Sequence, residues 1–227
     1  MSAGLPMLIV GIDTSGKHGG IALARSDDGR FTLLEETEIA GGTFSAQLIP
    51  QLASLLARHG DGKHDVDGIA VASGPGSFTG LRVGLAAVKG LAEILHIPIA
   101  AISLLEAVAL AAHDGGDVLT VLDAGRGEFY VGTYRVTGDH GTLKRPEELL
   151  SGEELVARAA NGTVVVTPEQ AVAQLLEAST VRMVERPGAA MIAEIGARKL
   201  RDGIVVSPEE LDVNYIRRSD AEIAKKT

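Results

Sequence analysis

The sequence predicts an α/β protein with two related halves. Short apolar runs of strand length alternate with longer segments of helical period, in the order β-β-β-α-β-α-β-α over the first half. A hairpin opens each half and carries an aspartate at its turn, Asp13 in the first half and Asp123 in the second. The repetition of this hairpin is the main sign that the two halves are related.

The first half is predicted to contain five strands and three helices. The strands fall at residues 7–12, 21–24, 31–39, 66–72 and 97–102, and the helices at residues 45–59, 80–95 and 103–113. Residues 13–20 form the polar, glycine-rich tip of the first hairpin. Pro50 lies inside the first helix and is expected to kink it, because proline lacks the backbone N–H that the helix needs.

The second half repeats the strand and helix pattern less regularly. Strands are predicted at residues 118–122, 128–136 and 163–167, and helices at residues 152–160, 168–178 and 189–201. A glycine pair at 115 and 116 marks the boundary, so we expect domains at residues 1–114 and 115–227.

Composition narrows the classes of function. The chain of 227 residues is 45% hydrophobic, which is typical of a folded protein with a sizeable core. Aromatic residues are only 3%, and the formal charge is −9, so we do not expect the chain to bind nucleic acid by itself. With no cysteine, disulfides and thiolate chemistry are excluded. We expect a cytoplasmic protein with no membrane-spanning helix and no secretory signal.

A glycine-rich turn at residues 73–80 joins a predicted strand to a predicted helix. Its glycines allow backbone conformations that other residues avoid, and Ser77 or Thr79 can cap the helix. Free N–H groups at such a turn can bind an anion, although the spacing matches neither a P-loop nor a dinucleotide fingerprint. The alternative is a tight connection whose glycines simply allow close packing.

The helix at residues 80–95 has two apolar faces. Leu81, Leu85, Val88, Ala92 and Leu95 form one face, and Val83, Ala86, Ala87, Gly90 and Ile94 form another. One face is enough to cover a sheet. The second face therefore predicts contact with another element or another chain.

Residues 73–92, SGPGSFTGLRVGLAAVKGLA, resemble the signature of the bacterial TsaB (YeaZ) family of glycoprotease-like proteins. Further matches are GIDTS at 11–15, SLLEAVA at 103–109, DAGRGEFY at 123–130 and NYIRRSDAE at 214–222, so the resemblance extends over nearly the whole chain. It implies an actin/Hsp70-like ATPase (ribonuclease H-like) fold with two related subdomains.

The resemblance also implies a function. Proteins of this family are taken to be noncatalytic subunits that bind TsaD, the catalytic subunit that transfers a threonylcarbamoyl group to tRNA. Binding to a TsaE-like ATPase and to tRNA is then expected only through the complex, and the isolated protein is expected to form a homodimer. The partner surface is implied to lie on the helices at 45–59 and 80–95. The expected interface residues are Leu48, Leu52, Leu56, Val83, Gly84, Ala87, Val88 and Leu91.

A nucleotide-binding ATPase or sensor of the same fold is the main alternative. It would use the two hairpin tips and the glycine turn to hold ATP and Mg²⁺, without any cofactor being required for the scaffold function. Its expected anion-binding residues are Asp13, Thr14, Ser15, Gly76, Ser77, Thr79, Gly80, Arg82 and Asp123. Only a weak adenine-loop candidate, residues 186–188, is present in the second half.

Two further enzyme classes find little support. The six histidines nowhere show the H-x-x-x-H spacing of a metal site on a helix, so we expect no metal and no catalytic residue. A peptidase would need Ser77 as nucleophile, but Pro75 and Thr79 occupy the glycine positions of G-x-S-x-G.

Some positions depart from the family pattern. Phe44 replaces a histidine, Gly125 stands where an arginine is common, and Val213 replaces a proline. Near the end of the chain, Arg217, Arg218, Lys225 and Lys226 form a basic segment that is solvated, touches tRNA or docks a partner.

Overall fold

The chain folds into two compact α/β units. The computed structural model describes residues 6–112, 115–160, 162–176 and 181–216. Unit 1 takes its described residues from the chain up to Ser103 and from Pro187–Val213, and unit 2 takes them from Leu104–Arg186 and from Asn214 onward. Among the described residues, no helix is long and apolar enough to cross a membrane.

Ten strands and six α-helices are described. The strands are β1 (Met7–Asp13), β2 (His18–Asp27), β3 (Arg30–Ala40), β4 (Gly68–Gly74), β5 (Ile99–Ser103), β6 (Gly116–Gly125), β7 (Glu128–Thr137), β8 (His140–Ser151), β9 (Val164–Thr167) and β10 (Val181–Met183). The helices are α1 (Phe44–Arg58), α2 (Phe78–Leu95), α3 (Leu104–Ala111), α4 (Gly152–Ala159), α5 (Gln170–Leu176) and α6 (Ala189–Arg201).

The two sheets have the same topology. Unit 1 has the strand order β3-β2-β1-β4-β5, and unit 2 has the order β8-β7-β6-β9-β10. In each sheet the first three strands pair antiparallel and the last two pair parallel to their neighbours. The α/β class and the two related halves that the sequence predicts are therefore confirmed.

The units divide the chain differently from the expected boundary at residues 114 and 115. Helix α3 follows β5 in the chain but packs on β6, β7, β8 and β9 in unit 2. Helix α6 follows β10 but packs on β1, β2, β4 and β5 in unit 1. Each unit thus contains one helix from the other half of the sequence. The glycine pair at 115 and 116, on which the expected boundary is based, gives no sign of this exchange.

Two strands were not predicted. Strand β8 is mostly exposed, carries Pro146 and several charges, and lies at the edge of its sheet, so it lacks the apolar alternation of a buried strand. Strand β10 has only three residues. The helices fit the predicted positions better, and α1 runs through Pro50 without a break.

Side-chain alternation along β2 explains how helices cover both faces of the unit 1 sheet. Ile21 and Leu23 lie in the large core under α1 and α2, whereas Ala22 and Ala24 pack against α6 on the other face. The small side chains let α6 approach closely. A Cβ atom at Gly196 of α6 would lie 2.1 Å from the Cβ of Ala70 on β4.

Candidate partner-binding site

Helix α2 has well-defined ends. The Ser77 hydroxyl accepts a hydrogen bond from the N–H of Gly80 at 3.3 Å and caps the first turn. At the other end His96 adopts a left-handed conformation with φ of 56°, and its N–H donates to the carbonyl of Ala92. Between these residues the helix is continuous over 18 residues.

The two apolar faces of α2 lie in different environments. Leu81, Leu85, Val88 and Ala92 are buried in unit 1. On the other face Ala86, Gly90 and Ile94 are exposed, and the side chain of Ile94 is 72% exposed. The division of the helix into a core face and a second apolar face therefore agrees with the periodicity.

Helix α1 shows the same division. Leu48, Leu52, Leu55 and Leu56 are buried, and they form the side of the helix that packs on the sheet. A second stripe of mostly small apolar residues is exposed. It comprises Ala46, Ile49, Pro50, Ala53 and Ala57.

Polar residues at the end of α1 form hydrogen bonds with the neighbouring strand β3. The Arg58 guanidinium donates to Glu35 at 2.7 Å, and His59 pairs with the same carboxylate at 2.9 Å. The hydrogen bond from Arg58, and secondly the one from His59, hold the pKa of Glu35 below its usual range. With one stripe on β3 and the leucines in the core, the third stripe of α1 is left facing solvent.

Most of the residues expected at the interface are buried within unit 1. Five of the eight residues are buried in the core of unit 1, namely Leu48, Leu52, Leu56, Gly84 and Val88. The other three, Val83, Ala87 and Leu91, are half-buried and pack against the same core. Substitution of Gly84 by Arg or of Val88 by Asp would consequently disturb the fold itself and could not isolate the effect on pairing.

The exposed apolar positions of the two helices form one surface, which we call the docking face. It contains the α1 residues Ala46, Ile49, Pro50, Ala53 and Ala57, and the α2 residues Ala86, Gly90 and Ile94. Helices α1 and α2 contact each other and cover the same face of the sheet, so their outward stripes lie side by side. Arg82 stacks over the ring of Phe78, with its guanidinium carbon 3.8 Å from the ring centroid.

The first three residues of the first hairpin tip are buried beneath the glycine turn and α2. Asp13, Thr14 and Ser15 are each at most 4% exposed. The N–H of Ser15 donates to Asp13 Oδ1 at 2.8 Å, which holds the tip in a tight turn. The Ser15 carbonyl in turn accepts from the N–H of Ser77 at 2.6 Å, and this bond joins the tip to the glycine turn.

Three glycines are needed where the turn and helix meet this tip. A Cβ atom at Gly76 would lie 2.5 Å from the Ser15 carbonyl oxygen, and one at Gly80 would lie 2.1 Å from the Thr14 carbonyl oxygen. At Gly84 it would lie 2.2 Å from Thr14 Oγ1. These contacts favour the simpler interpretation of the glycine turn, that of a connection built for close packing.

The remaining residues expected to bind an anion are spread over both units. In unit 1, Ser77, Thr79 and Arg82 are exposed around the start of α2. In unit 2, Asp123 is exposed at the second tip and accepts a hydrogen bond from the N–H of Gly125 at 2.7 Å. Because the Thr14 and Ser15 hydroxyls are buried and the N–H of Ser15 is paired with Asp13, these groups of unit 1 do not fit the triphosphate of an ATP–Mg²⁺ complex.

Histidines and acids form surface pairs. His18 pairs with Glu38 at 2.7 Å, and both side chains are largely exposed. Within the ranges that the structure describes, no group of three or more His, Cys, Asp or Glu residues could hold a metal ion.

The three departures from the family pattern have local roles. Phe44 is buried and lies against Gly19 and Gly80, so its ring packs between the first hairpin and the glycine turn. Gly125 has φ of 74°, a conformation that favours glycine. Val213 packs against the unit 1 core, and the next residue, Asn214, donates to Glu147 in unit 2. The basic residues at 217, 218, 225 and 226 lie outside the described residues.

Two units of this topology define an α/β protein of the actin/Hsp70-like ATPase (ribonuclease H-like) class. Residues 35–164 match the family model described as TsaD, tRNA N6-adenosine threonylcarbamoyltransferase. The tRNA threonylcarbamoyladenosine biosynthesis protein TsaB of Haemophilus influenzae is 32% identical over 183 residues, which cover 78% of this chain and 71% of that protein. The chain belongs to the TsaB (YeaZ) family, as the resemblance of residues 73–92 predicts.

Two other relatives agree with this assignment. TsaB of Bacillus subtilis is 39% identical over 130 residues, and the match covers 57% of this chain but only 56% of that protein. The chain thus spans about half the length of this curated relative. A crystal structure from Pseudomonas aeruginosa, described as similar to peptidase YEAZ, superposes with a TM-score of 0.75 at 25% identity and covers 93% of this chain and 100% of that chain.

Proposed function

We propose that this protein is a noncatalytic subunit in the biosynthesis of tRNA threonylcarbamoyladenosine. Its task is to bind the catalytic threonylcarbamoyltransferase, a TsaD protein, and to hold it in its active arrangement. The curated relatives named TsaB support the process, since their names state that they take part in this biosynthesis. The observation that carries the binding role is the exposed apolar docking face on α1 and α2.

The composition of the docking face suits a protein partner. Its middle consists of small residues such as Ala53, Ala86 and Gly90, which allow another backbone to approach closely. A larger apolar side chain, that of Ile94, lies at one end of α2 and is exposed.

The covered tip supports a noncatalytic role over the ATPase alternative. A nucleotide-binding protein of this fold needs an open loop after its first strand, whereas Thr14 and Ser15 are packed under glycines of the turn and of α2. The capping hydrogen bond of Ser77 likewise gives that residue a structural role at the site where a peptidase would need a nucleophile.

Other partners follow from the same proposal. A TsaE-like ATPase and tRNA would meet this subunit only within the complex, because the isolated chain carries a net charge of −9 and few aromatic residues. Without the transferase, two copies would pair through the docking face as a homodimer. The place of action would be the cytoplasm.

The experiment measures binding of the purified chain to the TsaD protein of the same organism, by light scattering and calorimetry. Wild type is expected to form a defined complex. Ile94→Asp is expected to weaken binding by at least about tenfold, because it places a charge on an apolar surface that the partner would desolvate. Added to the transferase reaction, Ile94→Asp is expected to lower product formation by weakening assembly, with recovery at high subunit concentration.

Val156→Asp is the matched control. Val156 is also an exposed apolar residue on a helix, but it lies on α4 in unit 2, whereas the docking face belongs to unit 1. Its substitution should leave binding at the wild-type value. If wild type fails to bind the transferase, or if both variants bind as wild type does, the proposed docking function is wrong.

A further inference from the structure

We infer that Thr14 in the first hairpin tip positions α2, and that its contact with Gly84 determines how strongly the docking face binds its protein partner. We call Thr14 and its contacts with α2 the seat. The tip carries residue types expected of a phosphate loop, yet the structure gives them a packing role. Thr14 and Gly84 are thus positioning residues for partner binding. The inference rests on the proposed docking function. It says that a buried contact outside the docking face affects the strength of partner binding.

The seat is built from close contacts along the first part of α2. The Thr14 carbonyl lies against Gly80, and the Thr14 side chain lies against Gly84 one turn later. The Oγ1 and Cγ2 atoms of Thr14 would be 2.2 and 3.2 Å from a Cβ atom at Gly84. Since both branches of the threonine face the helix, a change of its rotamer only replaces one close contact by another.

The hydroxyls at this seat have no hydrogen-bonding role that would explain them. Thr14 Oγ1 and Ser15 Oγ are buried and have no hydrogen-bond partner among the residues that the structure describes. Buried hydroxyls normally find a partner, and leaving one unpaired is unfavourable. What the Thr14 side chain does provide is shape, because its branched end fills the space left by the missing side chain of Gly84.

Movement of α2 on this seat would alter the docking face. The face is composed of stripes from two helices, so its shape depends on the position of α2 relative to α1. Helix α1 is fixed independently by its leucines and by the ion pair of Arg58 with Glu35. A side chain at Gly84 would therefore lift α2 away from the sheet while α1 stayed in place, and the two stripes would no longer match the partner.

The test compares Gly84→Ala with Gly196→Ala. Both substitutions add one methyl group to a helix that packs tightly on the unit 1 sheet, with closest distances of 2.2 and 2.1 Å for the added atom. Alanine is also the better helix former at both sites. They differ in the face of the sheet that they disturb, because Gly196 belongs to α6 on the side opposite the docking face.

Binding to the TsaD protein of the same organism and the midpoint of thermal unfolding are measured for each variant. Gly84→Ala is expected to weaken binding by about tenfold or more. Gly196→Ala is expected to lower the unfolding midpoint to a similar extent and to leave binding unchanged. The double variant with Thr14→Ala and Gly84→Ala should regain most of the binding, since removal of Oγ1 and Cγ2 makes room for the new methyl group.

Three results would overturn the inference. In the first, Gly84→Ala binds the partner as strongly as wild type does. In the second, Gly84→Ala and Gly196→Ala lose binding equally, and in the third, adding Thr14→Ala to Gly84→Ala does not restore binding. None of these results can be confused with failure of the proposed function, which would appear as absence of binding by the wild-type chain.

Discussion

The two hairpin tips carry the same local hydrogen bond in different surroundings. In unit 1 the N–H of Ser15 donates to Asp13 at 2.8 Å, and in unit 2 the N–H of Gly125 donates to Asp123 at 2.7 Å. Asp13 is buried and Asp123 is exposed. The motif of the tip therefore sets its turn but not its accessibility.

The difference comes from the connection after the neighbouring strand. Strand β4 leads through the glycine turn into α2, which has 18 residues and covers the first tip. At the equivalent place in unit 2, β9 leads into α5, whose described residues are Gln170–Leu176. Two tips with the same local hydrogen bond thus differ in accessibility, and the contacts of the glycine turn and α2 account for the burial of the first.

The largest loss of stability is expected where α2 packs into the core of unit 1. Val88→Asp should lower the free energy of unfolding by about 3–5 kcal/mol, because it buries an unpaired charge. Ile94→Asp, on the exposed face of the same helix, should change it by less than about 0.5 kcal/mol. Urea unfolding followed by circular dichroism distinguishes the two. Similar stability of both variants would contradict the assignment of the faces.

A smaller difference in stability is expected between variants of the two hairpin tips. Asp13→Ala removes the acceptor for a buried N–H and should lower the free energy of unfolding by about 1–3 kcal/mol. Asp123→Ala removes the equivalent bond at an exposed tip, where water can replace it, so a loss below about 1 kcal/mol is expected. Chemical denaturation of both variants measures this difference. Equal losses would mean that burial does not distinguish the tips.

The smallest effect concerns the helix that follows the third strand of each sheet, α1 in unit 1 and α4 in unit 2. Helix α4 begins with a capping box in which the N–H and hydroxyl of Ser151 donate to Glu154, whereas α1 has no side-chain cap at Thr43. The backbone hydrogen bond from Ser151, followed by that from its hydroxyl, lowers the pKa of Glu154. The stabilisation is present above the usual carboxyl pKa of about 4.3 and is lost as pH falls through the lowered value.

Glu154→Gln should remove this pH dependence while it retains an acceptor for the cap. We expect the drop in unfolding midpoint between pH 7 and pH 3 to shrink by about 1–2 °C in the variant, measured by differential scanning calorimetry. Glu153→Gln is the control, since Glu153 lies in the same turn without taking part in the capping box. An identical pH profile for Glu154→Gln and wild type would rule out the cap as its source.

Periodicity could predict much of this fold. The strand at residues 66–72 and the helix at 80–95 closely match β4 and α2, because both segments have a regular apolar pattern between glycine-rich turns. The two faces of α2 also followed from spacing alone. Strand β8 escaped prediction because an exposed edge strand with proline and charges has no such pattern.

The interface leucines show where spacing was insufficient. Helix α1 has a wide apolar arc, and spacing does not say which part of the arc meets the sheet. Side-chain size supplies the missing signal, because leucines gain more free energy from burial than alanines do. Leu48 and Leu52 accordingly face the core, while Ala46, Ala53 and Ala57 face solvent. No local signal predicted the exchange of α3 and α6, which depends on contacts between distant parts of the chain.

The place of α6 in unit 1 sets an order of events during synthesis. The ribosome releases β1 first, yet the helix that covers one face of its sheet ends at residue 201. At about 5–20 residues per second, that face of the nascent sheet remains bare for roughly ten to forty seconds, long enough to need protection from aggregation. Most of unit 2, from Leu104 to Arg186, is translated in the meantime. The unit that begins the chain is therefore completed only after most of the other unit has been made.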